Sequence, residues 1–391
     1  LRCSQVVDEL VNRGHEIHIL CDRPANEKPF IIQNQTPNIY RILYKRNSKI
    51  SLTKKIYRDY TDIRGIEKII KVVNPDLIYF WHMAPLSNAI FPYLTQLGIK
   101  MVYDEGGSGL LHLYKVYQRW MYFYKNPNDN LFKLVYKRTI MQIIYWLSGK
   151  RIRNYWEWPQ KMIIYYNSAS SLMYAKKQIP FLSAKIIYSG IKLDDFTFNP
   201  IVTRESKIKI ILPGRITPIK GTMDGIDLLH GLRNNGINAD LTIVGFVDSK
   251  EYLKAIQERI IECGLSGMVK FLPMQSHADM VHLFHMSDIC YFPSYQKFGL
   301  SRIPLEAMAC GCLVIAYGNE GSSEIIADGH TGFVVDPQDF NSCIALINDY
   351  KQSGQYKSIR NQARVSVEQN YSFQKYINNI EELLLAVVGN G

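Results

Sequence analysis

No two cysteines of this 391-residue chain have Cys-x-x-Cys spacing; the seven fall at 3, 21, 263, 290, 310, 312 and 343. The odd number and the scatter exclude a disulfide framework and a thiolate zinc site. They predict buried free thiols, a reducing compartment and a cytoplasmic location. Long apolar runs are missing too: no segment approaches the ~18 consecutive apolar residues of a membrane span. No Asp-x-Asp offers a bridge between a metal and a diphosphate, and no His/Cys cluster has ligand spacing. Without Gly-x-Gly-x-x-Gly after a strand, a dinucleotide dehydrogenase is disfavoured; without Gly-x4-Gly-Lys-Ser/Thr, a P-loop ATPase is excluded. Internal repeats and low-complexity tracts are also absent.

What the chain does hold is enough apolar residues, 47%, for a sizeable core, with 21% charged. Its length predicts two domains. The net charge of +11 is unevenly placed: residues 1–200 carry 29 Lys/Arg against 15 Asp/Glu, and the remainder 17 against 20. A basic first half attracts acidic partners such as phosphates, anionic lipid or nucleic acid. Within 109–155, aromatic and basic residues mix at helical spacing, as in "LYKVYQRWMYFYK" and "LFKLVYKRTIMQIIYWL". Two readings are open: helices packed on the first domain, or a surface facing lipid or a lipid-linked acceptor, since Trp/Tyr and Lys/Arg favour that boundary.

The rest alternates helix and strand. "CSQVVDELVNRGHEIHILCD" reads as a helix closed by Gly14, then a strand at 16–21. "RGIEKIIKVVNP" is amphipathic and stops before Pro75. "DLIYFWH" and "KMVYDE" are strands flanking a helix "PLSNAIFPYLTQLG", and "KMIIYYNS" and "AKIIYSG" are further strands. Apolar strands alternating with helices imply parallel sheets covered on both faces. A strand normally precedes the first helix of such a unit. None does, so the first domain is expected to lack its N-terminal strand and the chain to be a piece of a longer one. The domain limits read 1–195, a polar linker at 196–207, 208–371 and a terminal helix at 372–391. The fold class is α/β, two doubly wound Rossmann-like domains facing across a cleft.

Two motifs lie at strand ends of the second half. In "ILPGRITPIKG", Gly214 and Arg215 make the turn and Lys220 precedes a helix. Ligands of open parallel sheets sit at the carboxyl ends of strands. Arg215 offers a planar fork for phosphate oxygens and Lys220 a point charge; the pair also reads as two solvated cations. In "YFPSYQKFGLSRIPLEAMACGCLVIA" (291–316), Ser301 reads as an N-cap, Pro304 fits the first turn and Gly311 stops the helix. The amides from Gly299 through Leu300 and Ser301 to Arg302 form an anion site. Glu306 lies one turn beyond Arg302. It is either half of an exposed pair worth ~0.3–0.5 kcal/mol or, with Ala307, Ala309 and Gly311 letting backbone close in, a carboxylate for the vicinal hydroxyls of a ribose. Together these groups suit a nucleoside diphosphate, and a diphosphate leaving group whose growing charge must be met. In the first half, Asp104 and Glu105 end a strand before Gly106 and Gly107. Asp104 reads as a base or acceptor-orienting group, or as part of an acidic turn. His82, after "IYFW", is similarly placed, and a lone histidine is more often structural.

On these residues the second half resembles the nucleotide-sugar domain of the retaining glycosyltransferases of family 4, which have the GT-B fold. The likeness runs in order through "GRITPIKG", "LTIVG", "FLPMQSHADMVHLFHMSDICYFPS", "LEAMACGCLVIA" and "GSSEIIADGHTGFVVDP". The first half is similar more loosely, through "VDELVNRGHEIHIL", "NPDLIYFWH", "YDEGGSG" and "IIYSGIKLDDF". The resemblance implies transfer of a hexose from a UDP- or GDP-linked sugar to a hydroxyl of a glycan or lipid-linked acceptor. It implies retention of configuration, no metal, no cofactor beyond the donor substrate, and front-face attack without a protein nucleophile. Arg215 and Lys220 match the diphosphate pair, Ser301 and Arg302 the backbone phosphate site, and Glu306 the second Glu of Glu-x7-Glu, on the ribose. The terminal helix from Ser372 is expected to return to the first domain. Partners are then the nucleotide sugar, the acceptor and, through the basic half, an anionic membrane surface on its inner face. Nucleic acid is not among them, because it would not need Arg215, Lys220 and Glu306.

Two departures stand out. Phe298 lies eight residues before Glu306, where the family has its first Glu, a contact to the donor sugar. If Phe-Gly-Leu is aligned instead, two residues are inserted and Gln296 takes that place. The family's Gly-rich loop after the first strand also has no counterpart in these residues. An alternative therefore stays open: a chain that binds a sugar nucleotide without catalysis.

Overall fold

A computed structural model describes residues 2–389 apart from 24–29, 33–36, 46–48, 82, 84–85, 107–108, 126, 153–157, 160–161, 180–181, 183, 200–206 and 353–355. Most of the expected linker, with His82 and Gly107, thus lies outside the described residues. The chain divides into two units. The first comprises Leu1–Tyr166, Ala175–Lys185 and Asn379–Gly391, and the second Asn167–Tyr174 and Ile186–Asn378.

In the first unit, β1 (His18–Asp22), β2 (Phe30–Ile32) and β3 (Asn38–Leu43) form a sheet in the order β1-β3-β2. β4 (Leu77–Trp81), β5 (Lys100–Glu105), β6 (Ile163–Tyr166) and β7 (Lys185–Ile186) form another, in that order. β1 is parallel to β3, but β2 is antiparallel to it. That departs from the all-parallel expectation: the link from β2 to β3 is too short for a crossover, so the chain must turn back. The helix Leu52–Val73 is longer than its amphipathic core suggests. Ser51 caps it by accepting from the Lys54 N–H, and Asn74, at φ +48°, ends it before Pro75. By contrast, among the described residues of "PLSNAIFPYLTQLG" only Ile90–Leu94 is helical; Ala89, at its start, offers no side-chain cap. In the last helix, Phe373–Gly389, Glu381 takes Arg13 and His15 at 2.5 and 2.7 Å.

The second unit is one all-parallel sheet built from β8 (Ile208–Pro213), β9 (Ala239–Val244), β10 (Val269–Leu272), β11 (Ile289–Phe292), β12 (Leu313–Tyr317) and β13 (Phe333–Val335). Their order is β10-β9-β8-β11-β12-β13, so the chain reverses its direction of winding between β8 and β11. Alternate residues feed the two faces. Ile210, Leu212 and Tyr291 pack with Leu229 and Ile256 on one side; Ile211, Cys290 and Val314 pack with Leu305 and Met308 on the other. All seven cysteines are free, five of them buried.

Candidate functional site

In an open α/β sheet the crevice beyond the strand ends at the reversal point is the natural ligand site. Here that point is flanked by the loops after β8 and β11, and backbone contacts hold the loops together. Gly221, at φ +66°, lies so close to the Pro293 carbonyl that a Cβ would stand 2.1 Å from its oxygen. The Tyr295 N–H donates to the Ile219 carbonyl at 2.8 Å. After β9, Gly245 lies against Gly214, where a Cβ would meet the Gly214 oxygen at 1.8 Å. The hydroxyls of Tyr295 and Tyr317 both donate to Asp224 Oδ2, at 2.5 and 2.6 Å, pinning the β11 loop to the helix Thr222–Asn234.

Lys220 ends the β8 loop. Its Nζ donates to both oxygens of Glu320, at 2.6 and 2.5 Å. Each of these side chains is only 11% exposed. Ser294 Oγ donates to Glu320 Oε2 at 2.6 Å. Glu320 sits at φ +52°, a left-handed conformation uncommon for a residue with a side chain of this size. Its carbonyl accepts from the Ser301 N–H at 3.2 Å. Loops after β8, β11 and β12 thus meet on one carboxylate. Arg215 differs: its side chain is 56% exposed and pairs with Asp248 at 3.2 Å.

The helix after β11 spans Ile303–Cys310, with Pro304 in its first turn and Gly311, at φ +94°, at its end. Arg302, not Ser301, occupies the N-cap position, and it caps with no side-chain hydrogen bond. Ser301 Oγ accepts from the Ile303 N–H at 3.4 Å. Two amides expected to serve an anion have partners within the chain: the Gly299 N–H donates to Ser171 Oγ at 2.8 Å, and the Ser301 N–H to Glu320. Leu300 packs against the core beside this helix. The Phe298 ring stacks on Tyr174, centroids 4.7 Å apart.

Glu306 combines the two readings of its sequence. Arg302 Nε is 3.8 Å away, yet the Glu306 side chain is only 13% exposed. Burial pushes its pKa up, while Arg302 and His277 pull it back. A carboxylate so short of hydrogen-bond donors is suited to ligand hydroxyls. Asp104 lies in the first unit, at the end of β5. It is buried and accepts from the Tyr165 hydroxyl at 2.8 Å. Its neighbour Glu105 accepts from the N–H groups of Gly109 and Leu110.

Sequence reasoning missed Glu320, Ser294 and an apolar pocket. The pocket, of about 460 Å³, is lined by Ile216, Gly245, Phe246, Leu272, Pro273 and Met274, at the carboxyl ends of β9 and β10. The strand-end rule that singles out Arg215 points equally to Phe246 and Glu320, three residues or fewer beyond their strands.

The model for the family described as Glycosyl transferases group 1 matches residues 194–366, and that for Glycosyltransferase Family 4 matches residues 2–142. The chain belongs to the family 4 glycosyltransferases. Its relatives in this family include the lipopolysaccharide 1,2-N-acetylglucosaminetransferase of Salmonella typhimurium, 26% identical over 221 residues. That match covers 53% of this chain and 58% of the relative, little more than half of each. A solved glycosyltransferase of Rickettsia africae superposes with a TM-score of 0.71 at 20% identity, over 99% of this chain and 94% of its own. Anabaena HepE, crystallised with UDP-glucose, superposes with a TM-score of 0.58 at 18% identity, over 83% of this chain and 82% of its own. These structural likenesses establish the GT-B fold, two Rossmann-like domains, for this family 4 chain.

Proposed function

We propose that this chain transfers a hexose from a nucleotide diphosphate sugar to a hydroxyl of a glycan or lipid-linked acceptor, with retention of configuration and without a metal. The observation that carries the reading is a shielded ammonium, Lys220, in the loop after β8 at the reversal point of the sheet, with an apolar pocket at the carboxyl ends of β9 and β10 on the same sheet. The pocket suits a nucleobase, with Phe246 and Met274 as its apolar walls. Glu306 accepts from the ribose hydroxyls. Lys220, with Arg215, meets the diphosphate charge that grows as the sugar departs, which is work a metal does elsewhere. Lys220 is held by Glu320, so a donor phosphate takes the ammonium over from a carboxylate. The UDP-glucose in Anabaena HepE supports uridine as the base.

The test is calorimetric titration with UDP and with GDP, with and without EDTA. One of them is expected to bind, unchanged by EDTA, and Lys220→Ala to weaken it by about a hundredfold. Binding of neither would sink the reading. The missing carboxylate at Phe298 or Gln296 favours a second one, nucleotide-sugar binding without transfer. Tight UDP binding with no turnover of any hexose donor and acceptor would select it.

A further inference from the structure

The helix Leu131–Leu147 carries a surface that neither the nucleotide site nor the core explains. None of its residues is buried. At about 100° per residue, Val135, Trp146, Phe132, Ile143, Tyr136 and Leu147 fall within one half of its circumference. All six are exposed: Phe132 is 87% accessible and Leu147 82%. The opposite side, with Leu134, Met141, Ile144 and Tyr145, is partly covered. Asn130 caps the helix by accepting from the Lys133 N–H, so it is a well-founded helix and not a stray apolar loop.

Charge selects the occupant of this face. The helix contains Lys133, Lys137 and Arg138 and no acidic residue. From Gly109 to Ile152 the chain has eight Lys/Arg and one Asp, Asp129, which pairs with Lys133 and Lys137. Lys150, just past the helix, lies 4.7 Å from the Trp146 ring centroid. Two copies of such a face would bring like charges together. An anionic lipid surface supplies both the apolar depth for Phe132 and Leu147 and the countercharge for the excess of Lys/Arg over this stretch. Trp146 and Tyr136 are side chains that favour the headgroup boundary. No helix among the described residues is long and apolar enough to cross a membrane, so the helix would lie in the plane of the surface.

We propose that Leu131–Leu147 is an interfacial helix that docks the chain on anionic lipid by its Phe132–Tyr136–Ile143–Leu147 face. This goes beyond the transfer reaction and is tested without it. The intact chain is floated with vesicles of phosphatidylcholine alone or with about 30% phosphatidylglycerol. Binding is expected to the anionic vesicles only, and to weaken as salt is raised. The variant Phe132→Ser/Ile143→Ser/Leu147→Ser should lose at least about tenfold in partitioning, with circular dichroism and melting unchanged because all three side chains are exposed. Arg138→Glu/Lys150→Glu should lose the preference for anionic lipid. Equal binding to both vesicles, unaltered binding of the triple variant, or a dimer in ultracentrifugation that the triple variant abolishes would each overturn the proposal. Failure to bind UDP or GDP would overturn the nucleotide-sugar reading and leave this one standing.

Discussion

The two units differ in one buried carboxylate, which the first leaves short of donors. In the second, Asp224 receives two tyrosine hydroxyls. Asp288 receives the Lys209 N–H and the Tyr350 hydroxyl, and Glu320 an ammonium and a serine. In the first, Asp104 and Glu105 are supplied too, by the Tyr165 hydroxyl and by the Gly109 and Leu110 N–H groups, but for the equally buried Asp62 the Tyr44 N–H serves only Oδ1, and Oδ2 has no hydrogen-bond partner. A buried carboxylate supplied with donors can stay ionised, and one that is not holds its proton or waits for a ligand. Glu306 belongs to the second unit by position and to the Asp62 class by chemistry. That mismatch is the best physical reason to give it a ligand.

The comparison can be broken first at Glu320. If its carboxylate serves as the resident counter-anion of Lys220, Glu320→Gln keeps the shape and an acceptor for Ser294 while removing the competing charge. UDP, or GDP if that is the nucleotide bound, should then bind about tenfold tighter, read by calorimetry. Unchanged or weaker binding would mean that Glu320 does not compete with the donor phosphate. Glu306 offers a finer cut. Wild type should prefer UDP over 2′-deoxy-UDP by about tenfold, the lower end of the worth of one hydrogen bond to a charged group. Glu306→Ala should bind both equally. A preference that survives the substitution would take the ribose away from Glu306.

Much of the second unit was legible because its strands are short apolar runs closed by Gly or Pro. "IKIILPG" becomes β8 to within a residue, and Gly311 stops its helix as its position requires. The first unit was less so. Its apolar "PLSNAIFPYLTQLG" looks like a long helix and has one turn and a half, since apolar composition says where a segment is buried and not what shape it takes. The antiparallel β2 lies in a polar stretch without strong periodicity. Among the candidate site residues, spacing singled out Arg215, Lys220 and Glu306, each in a local motif. Glu320 escaped because its meaning depends on Lys220, a hundred positions away in the chain. The same limit applies to helix Leu131–Leu147: the sequence shows its amphipathic mix, but only the fold shows which side is left uncovered.

Asp62 tests the comparison from the other side, with the smallest effect. Burial, reinforced by the nearby Asp59, pushes its pKa up to about 8, against the pull of Arg23 and Arg58. In the unfolded chain it titrates near the ordinary value of 3.8. Between these two values the folded state keeps a proton that the unfolded state releases. Stability therefore falls as pH rises through that window, and the full penalty is present above it. Asp62→Asn keeps an acceptor for the Tyr44 N–H and cannot ionise. Its melting temperature relative to wild type should rise by a few degrees between pH 5 and pH 8. The shift should concern the first unit only, leaving nucleotide affinity as it was. Parallel melting curves across that range would show that Asp62 is ionised in the fold, and that Arg23 and Arg58 supply it as fully as Lys220 supplies Glu320.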